Sequence, residues 1–183
     1  MTKFFYLVLL SVLIISCNSN LTENEDNTEE YKSATLLNVG QNVPSFNISS
    51  LKGKNINIDS LKGKTIFLNF FTLSCPMCMK ELPKIEKEMW QKYKNRKDIV
   101  ILSIGREHFD NELIDLYLKK QFSFPMAADT NRYIYSLFAE KFVPRNIIID
   151  KTGKIIFTKV GYNEKDGLTE IIDILKNELD YKN

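Results

Sequence analysis

The sequence contains little cysteine, histidine or glycine. Its 183 residues include three cysteines, one histidine and seven glycines. A small scaffold held by disulfides needs more cysteines in a shorter chain, so these thiols indicate chemistry rather than cross-linking. A zinc site takes about four ligands, and one C-x-x-C pair (Cys75 and Cys78) with the lone His108 does not supply them. We therefore expect no metal site, and we expect His108 to be a surface residue on a loop or at a helix start.

Strong charge and long apolar runs are also missing. The formal net charge is only +2, so no basic field indicates a nucleic-acid partner. Beyond the first residues, no window approaches the roughly 18 apolar residues that a membrane span needs. Hydrophobic residues make up 44% and charged residues 26% of the chain, as in ordinary globular proteins. The length suits one domain with additional segments.

The N-terminal residues have the pattern of an export signal. Lys3 precedes an apolar run over 4–15, which is short for a membrane span but suits a signal peptide. The run ends in a small residue followed by Cys17, and this resembles the lipobox of bacterial lipoproteins. We predict a lipoprotein signal peptide over 1–16 and lipidation of Cys17. A plain secretory signal with an incidental cysteine is the alternative.

Residues 17–38 are acidic and carry almost no apolar side chains after the cysteine. Such a segment buries too little surface to offset its ordering entropy, so we predict a flexible tether. Asn18 after the cysteine favours the outer membrane by the usual sorting rule for lipoproteins, and the acidic tether resembles surface-export signals. The expected location is the cell envelope, lipid-anchored at the outer membrane on its periplasmic side or at the cell surface.

Residues 39–183 are patterned as one α/β domain. A five-residue motif occurs twice, at Ser50–Lys54 and at Ser60–Lys64, and its glycines indicate turns around a short strand. Continuous apolar runs predict buried strands, and amphipathic stretches predict helices. The predicted strands cover 55–59, 65–71, 99–104, 124–127, 146–150 and 154–158, and the predicted helices cover 75–94, 109–120, a stretch through 133–138, and 168–179. This order indicates a sandwich with a mixed sheet.

The C-x-x-C pair lies where a buried strand gives way to a helix. A cysteine at a helix N-terminus faces unpaired N–H groups and the positive end of the helix dipole, which favour the thiolate. Pro76 suits the first helical turn, where its missing N–H costs nothing. Cys75 is therefore the expected attacking thiol, and Cys78 is the expected resolving thiol.

From about residue 39 onward the chain carries the motif C-x-x-C-x-x-E-x-P at Cys75, Cys78, Glu81 and Pro83, followed by Val143, Pro144, Ile148, Ile149, Asp150, Gly153, Lys154 and Ile155. With these residues it resembles the TlpA/ResA-type thioredoxin-like proteins, which are membrane-tethered disulfide oxidoreductases. The resemblance implies a thioredoxin-like three-layer sandwich with a mixed central sheet, an N-terminal strand extension and a central helix–strand insertion at about 109–127. It also implies a cis-proline at Pro144, opposite the cysteines, with a backbone edge for an extended substrate. An ordinary trans-proline in a loop is the alternative.

The resemblance gives further residues expected roles. Glu81 would accept or return the proton of Cys78, unless it is a solvated surface glutamate, and Pro83 would kink the helix. Val143, Pro144 and Arg145 would bind the substrate. Arg145 follows the proline and would favour acidic partners, or else be simply solvated. The sequence departs from the family at Ser74, where tryptophan is usual, and in the order Pro76-Met77, which leaves the direction of electron flow open.

The predicted function is thiol–disulfide exchange on protein disulfides in the bacterial envelope, in the reducing direction. No cofactor is expected beyond the Cys75–Cys78 pair, and a membrane thiol–disulfide protein would supply electrons. A peroxiredoxin-like peroxidase is one alternative, because Thr72 stands three residues before Cys75 as in that family. However, Leu68 replaces its proline, and Arg145 is one place away from its arginine. A non-catalytic binding lipoprotein is the other alternative, although it would not need two neighbouring thiols.

Overall fold

The computed structural model describes residues 22–180, with side chains described from residue 28. Five strands form the central sheet, and two shorter strands form a separate hairpin. The helices are α1 (Thr22–Ser33), α2 (Pro76–Lys84), α3 (Gln91–Tyr93), α4 (Asp110–Lys119), α5 (Tyr135–Phe138) and α6 (Thr169–Asp180), with a 3₁₀ turn at Ile58–Leu61 and a π-helical segment at Ile85–Trp90. The strands are β1 (Asn47–Ser49), β2 (Asn55–Asn57), β3 (Thr65–Phe71), β4 (Ile99–Arg106), β5 (Met126–Asp129), β6 (Arg145–Ile149) and β7 (Ile155–Val160).

The central sheet is mixed, as predicted. Its strand order is β5-β4-β3-β6-β7. Strands β3, β4 and β5 run parallel, whereas β6 is antiparallel to both β3 and β7. All seven residues of the central strand β3 are buried, because both faces of the sheet are covered. This is the thioredoxin-like sandwich that the sequence predicts.

Alternation along β3 divides the interior into two cores. Phe67 and Phe71 pack with α2, α4 and α6 on one face. Ile66, Leu68 and Phe70 pack with α5 and the β1–β2 hairpin on the other. Successive side chains of a strand point to opposite faces of the sheet. Alternate residues of β3 therefore enter different cores.

Both predicted additions to the core of the fold are present. The hairpin of β1 and β2 is the N-terminal strand extension. The insertion runs from β4 through α4 to β5, which pairs with β4 at the edge of the sheet. Among residues 22–180, no helix combines the length and the apolar character that crossing a membrane requires.

The folded part begins earlier than expected. The predicted tether over 17–38 contains α1, and its end packs on the domain. The Tyr31 ring lies 5.0 Å from the Phe142 ring, edge to face. Ala34 is buried, and the N–H of Leu36 donates to the carbonyl of Phe138 at 2.9 Å. These few apolar residues anchor the segment, while the side chains of Glu29 and Glu30 stay at the surface. The predicted signal peptide and Cys17 lie outside the described residues.

The active-site helix changes its winding after Pro83. This proline lies inside α2, and Ile85–Trp90 is wound as a π-helix rather than continuing in α form. Proline has no N–H to donate to the preceding turn. The change of winding therefore begins two residues after the proline that was expected to kink the helix.

Candidate active site

Cys75 and Cys78 form a disulfide at the start of α2, with their Cα atoms 5.2 Å apart. Cys75 is the N-cap of the helix, and its Sγ accepts a hydrogen bond from the Cys78 N–H at 3.1 Å. Cys75 is partly exposed, whereas Cys78 is completely buried. A donor and the helix N-terminus therefore stabilise negative charge on the sulfur that a partner can reach.

The Val143–Pro144 loop lies opposite Cys75, as predicted. The peptide bond between these two residues is cis. The Sγ of Cys75 lies 3.6 Å from the carbonyl oxygen of Val143, although 68 positions separate the two residues. Pro144 is buried and Val143 is partly exposed, so the accessible sulfur is bordered by backbone of this loop.

Glu81 is buried, with only 1% of its surface exposed, so its interpretation as a surface glutamate is wrong. Its Oε2 accepts from the Asn69 side-chain amide at 2.9 Å, and its Oε1 accepts from the Asn146 amide at 2.7 Å. Burial raises the pKa of Glu81 to about 7, against the opposing effect of the two amides. Both the acid and the carboxylate are therefore populated near neutral pH.

Asn69 and Asn146 hold the carboxyl group of Glu81, and the sequence reasoning missed both. They are directly opposite each other in β3 and β6, and the Asn69 amide also donates to the Asn146 side-chain oxygen at 2.9 Å. Both are completely buried. Each interrupts an apolar strand at a position that faces α2. A polar residue in an otherwise apolar buried strand was the signal that could have identified them.

The side chain of Arg145 does not face a partner, and it is not solvated. It is 1% exposed. Its guanidinium donates to Thr35 Oγ1 at 2.9 Å and to the carbonyl of Lys141 at 3.3 Å. Burial lowers its pKa below the usual value. Because Arg145 precedes Asn146 in β6, its side chain points to the sheet face opposite Glu81, where it holds the N-terminal segment.

His108 supports the loop that precedes the cysteines. It lies after β4 and is partly buried, not a surface residue. Its Nε2 accepts from the Leu73 N–H at 3.0 Å, and its Nδ1 lies 3.6 Å from a carboxylate oxygen of Glu112. Accepting at Nε2 places the proton of the neutral ring on Nδ1, towards that carboxylate.

The described part of the chain holds no group of three or more histidine, cysteine or acidic side chains arranged for a metal ion. The site itself offers the two sulfurs, the backbone donors at the start of α2 and the buried carboxyl group of Glu81.

Known proteins with similar sequences carry related descriptions. The family model described as Redoxin matches residues 38–173. The thiol-disulfide oxidoreductase ResA of Bacillus thuringiensis subsp. konkukian is 29% identical over 168 residues, which cover 92% of this chain and 93% of that protein. ResA of Bacillus anthracis is 31% identical over 132 residues, 72% of this chain and 75% of that protein.

A solved structure shares the fold. It is the solution structure of a protein from Bacteroides thetaiotaomicron described as a putative protein disulfide isomerase. The match has a TM-score of 0.76 and 28% identity, and it covers 80% of this chain and 93% of that one. The solved chain has about the extent of the described domain, and it folds by itself.

Proposed function

Because the chain belongs to the Redoxin family and is a thiol–disulfide oxidoreductase, we propose that it exchanges disulfides with proteins of the bacterial envelope through Cys75 and Cys78. The observation that carries this proposal is the asymmetry of the pair. The sulfur of Cys75 is accessible beside the Val143 carbonyl, and the sulfur of Cys78 is buried behind it. This arrangement admits a substrate to one sulfur only.

Reduction of a substrate disulfide would begin at Cys75. Its thiolate, stabilised by the Cys78 N–H, attacks one substrate sulfur. A mixed disulfide forms, the substrate S–S bond breaks, and the other substrate sulfur leaves as a thiolate that takes up a proton. The carbonyl of Val143 beside the sulfur offers an acceptor to an extended substrate backbone. Val143 and Pro144 are thus proposed to bind the substrate through backbone, and Arg145 is not.

Resolution requires the buried thiol of Cys78 to lose its proton. Glu81 lies one helical turn further along α2 and is equally buried. Its carboxylate accepts the proton, and the Cys78 thiolate attacks the Cys75 sulfur. The mixed disulfide breaks, the second substrate thiolate leaves, and two electrons have passed to the substrate. A carboxyl group with a pKa of about 7 suits this transfer, because it can both take and return a proton near neutral pH.

The reducing direction and the source of electrons are part of the proposal. The oxidised pair would be reduced by a membrane thiol–disulfide protein through the reverse exchange. The reduction potential of the pair tests the direction. A value near about −270 mV, as in thioredoxin, supports reduction of substrates, whereas a value near about −120 mV, as in strong periplasmic oxidants, contradicts it.

Attachment to the membrane is proposed through lipidation of Cys17. The support is the sequence pattern of residues 1–17. Growth of a bacterial host with an alkyne fatty acid, followed by capture of labelled protein, tests the anchor. We expect labelling of the wild type and none of Cys17→Ser. Equal labelling of both would contradict the anchor and leave the disulfide chemistry untouched.

Reduction of insulin by the dithiol form tests the activity itself. We expect the wild type to catalyse it, and we expect Cys75→Ser and Cys78→Ser to lose turnover. Consumption of hydrogen peroxide by the same protein, at a rate above that of insulin reduction, would contradict the proposed substrate class. A wild type no faster than the free dithiol reagent would contradict the activity.

A further inference from the structure

A second concave site lies at the end of the sheet opposite the cysteines. Its cavity has a volume of about 440 Å³. Lys64, Val100 and Met126 line it, and they stand at the amino ends of the parallel strands β3, β4 and β5. Cys75 follows the carboxyl end of β3. The cavity is therefore separate from the redox site and is not used by the exchange chemistry.

Both copies of the repeated five-residue motif line this cavity. The first copy contributes Ser50, Leu51, Lys52 and Lys54, and the second contributes Ser60, Leu61 and Lys64. The hairpin and the 3₁₀ turn that follows it bring the two copies together. The repetition in the sequence is thus a feature of one site.

The inner wall of the cavity is aromatic and aliphatic. Trp90 comes from the π-helical segment, Tyr117 from α4 and Phe124 from the loop before β5. Phe124 is completely buried, and Ile56 is 7% exposed. Among the described atoms, the Tyr117 hydroxyl is buried and has no hydrogen-bond partner. Cavities of roughly 300–1,000 Å³ with apolar walls and few polar groups are typical of small-molecule sites.

The charge of the lining has one sign. Lys52, Lys54 and Lys64 line the cavity, and no acidic residue does so. Within residues 28–180, none of these three ammonium groups forms an ion pair. Lys52 lies 5.5 Å from the centre of the Tyr117 ring. By contrast, Lys62 in the second copy of the motif does not line the cavity and pairs with Asp59 at 3.1 Å.

We propose that this cavity binds a small organic anion with an apolar body. The apolar part would lie against the partly exposed side chains of Trp90 and Tyr117, and the anionic group would contact Lys54 and Lys64. Burial of the apolar part contributes about 25 cal/mol per Å². Charge-assisted hydrogen bonds from the lysines select an anion over a neutral molecule of the same shape. The volume of about 440 Å³ favours a small molecule over a polypeptide.

Trp90 is the only tryptophan in the sequence, so its fluorescence and its indole N–H signal report on the cavity directly. A fragment of residues 22–183, which contains both cores, is titrated with decanoate, decanol and acetate at fixed ionic strength. We expect saturable changes with decanoate, at least tenfold weaker binding of decanol, and no saturable change with acetate. Each step uses protein with the Cys75–Cys78 disulfide intact.

Variants distinguish binding that depends on the lysines from non-specific hydrophobic binding. Lys54→Gln together with Lys64→Gln is expected to weaken decanoate binding at least tenfold and to leave decanol binding unchanged. Lys62→Gln is the matched control, because it removes a lysine of the same motif outside the cavity, and it is expected to change neither. Equal affinity for decanoate and decanol, an equal loss with Lys62→Gln, or no saturable change with decanoate overturns the proposal. Insulin reduction is not measured in this test. A failure of the binding proposal therefore does not affect the proposed function, and a failure of the proposed function does not affect the binding proposal.

Discussion

The side-chain amide of Asn146 donates to Oε1 of Glu81 at 2.7 Å, across 65 positions of the chain. This bond joins the strand after the cis-proline to the helix that carries both cysteines. Together with the Asn69 amide, it provides the buried carboxyl group with donors on both oxygens. The asparagines stabilise the carboxylate, and burial stabilises the acid, so the pKa of about 7 reflects the balance between them.

The pH dependence of the free energy of unfolding should reflect the raised pKa of Glu81. Burial raises the pKa of Glu81 from 4.5 to about 7, so the acid form is favoured in the folded state. The folded protein therefore loses stability as the pH rises from 4.5 to about 7, by roughly 3 kcal/mol relative to Glu81→Gln. Urea unfolding of the oxidised proteins at several pH values measures the difference. A difference that does not depend on pH would contradict the raised pKa.

Glu81→Gln should also change the kinetics of exchange. Without a group to take the proton of Cys78, resolution of the mixed disulfide slows by about 10²-fold or more near neutral pH. The rate should also lose its dependence on a group with a pKa of about 7. Stopped-flow exchange with a model disulfide checks both. A profile identical to that of the wild type would remove Glu81 from the proton transfer.

Asn146→Ala should shift the pH–rate profile of disulfide exchange to higher pH. Loss of a donor to the carboxylate raises the pKa of Glu81 further, so the midpoint of the pH–rate profile should rise by about one pH unit. Asn57→Ala is the control, since the Asn57 side chain donates to Asn47 at 2.8 Å and accepts from the Ser60 N–H at 3.1 Å, and neither contact involves Glu81. An equal midpoint in both variants would show that Asn146 has a structural role only.

The two thiols should differ in reactivity. In the reduced protein we expect iodoacetamide to modify Cys75 about tenfold faster than Cys78, because Cys78 is completely buried and Cys75 is not. Mass spectrometry of peptides after short reaction times gives both rates. Cys78→Ser should accumulate mixed disulfides with partner proteins. Accumulation in Cys75→Ser instead would reverse the two roles.

His108→Ala should loosen the loop before the cysteines. The change leaves the partly buried N–H of Leu73 without its acceptor, which costs about 1–3 kcal/mol locally. Hydrogen exchange at Leu73 should accelerate, and insulin reduction should slow. His108→Gln keeps an acceptor and should recover part of both. Unchanged exchange at Leu73 in His108→Ala would show that this bond does not hold the loop.

Sequence patterns predicted most of the architecture because each buried strand forms a nearly continuous apolar run. Strand β3 coincides with the predicted 65–71, and β4 begins at Ile99 as expected. Strand β1 was not predicted, since three residues carry too little alternation to stand out. The predicted strand over 55–59 ends at Asn57, where the side chain of that asparagine caps the 3₁₀ turn.

The site was predictable only where its residues have local signatures. The C-x-x-C pair and Glu81 share one helix, so their spacing shows in the sequence. The environment of Glu81 depends on Asn69 and Asn146, which only the pairing of β3 with β6 brings together. The orientation of Arg145 likewise depends on which sheet face its strand position selects. Neither follows from neighbouring residues alone.

Through the contact between Tyr31 and Phe142, helix α1 supports the loop that borders the Cys75 sulfur. Phe142 directly precedes Val143, whose carbonyl borders the Cys75 sulfur. Lys141 pairs with Glu30 at 2.9 Å, so the same loop is held at a second point. A force on the N-terminal segment would therefore reach the loop that borders Cys75 within a few residues. Through the lipid anchor proposed at Cys17, attachment to the membrane would therefore act on the same loop that is proposed to bind the substrate.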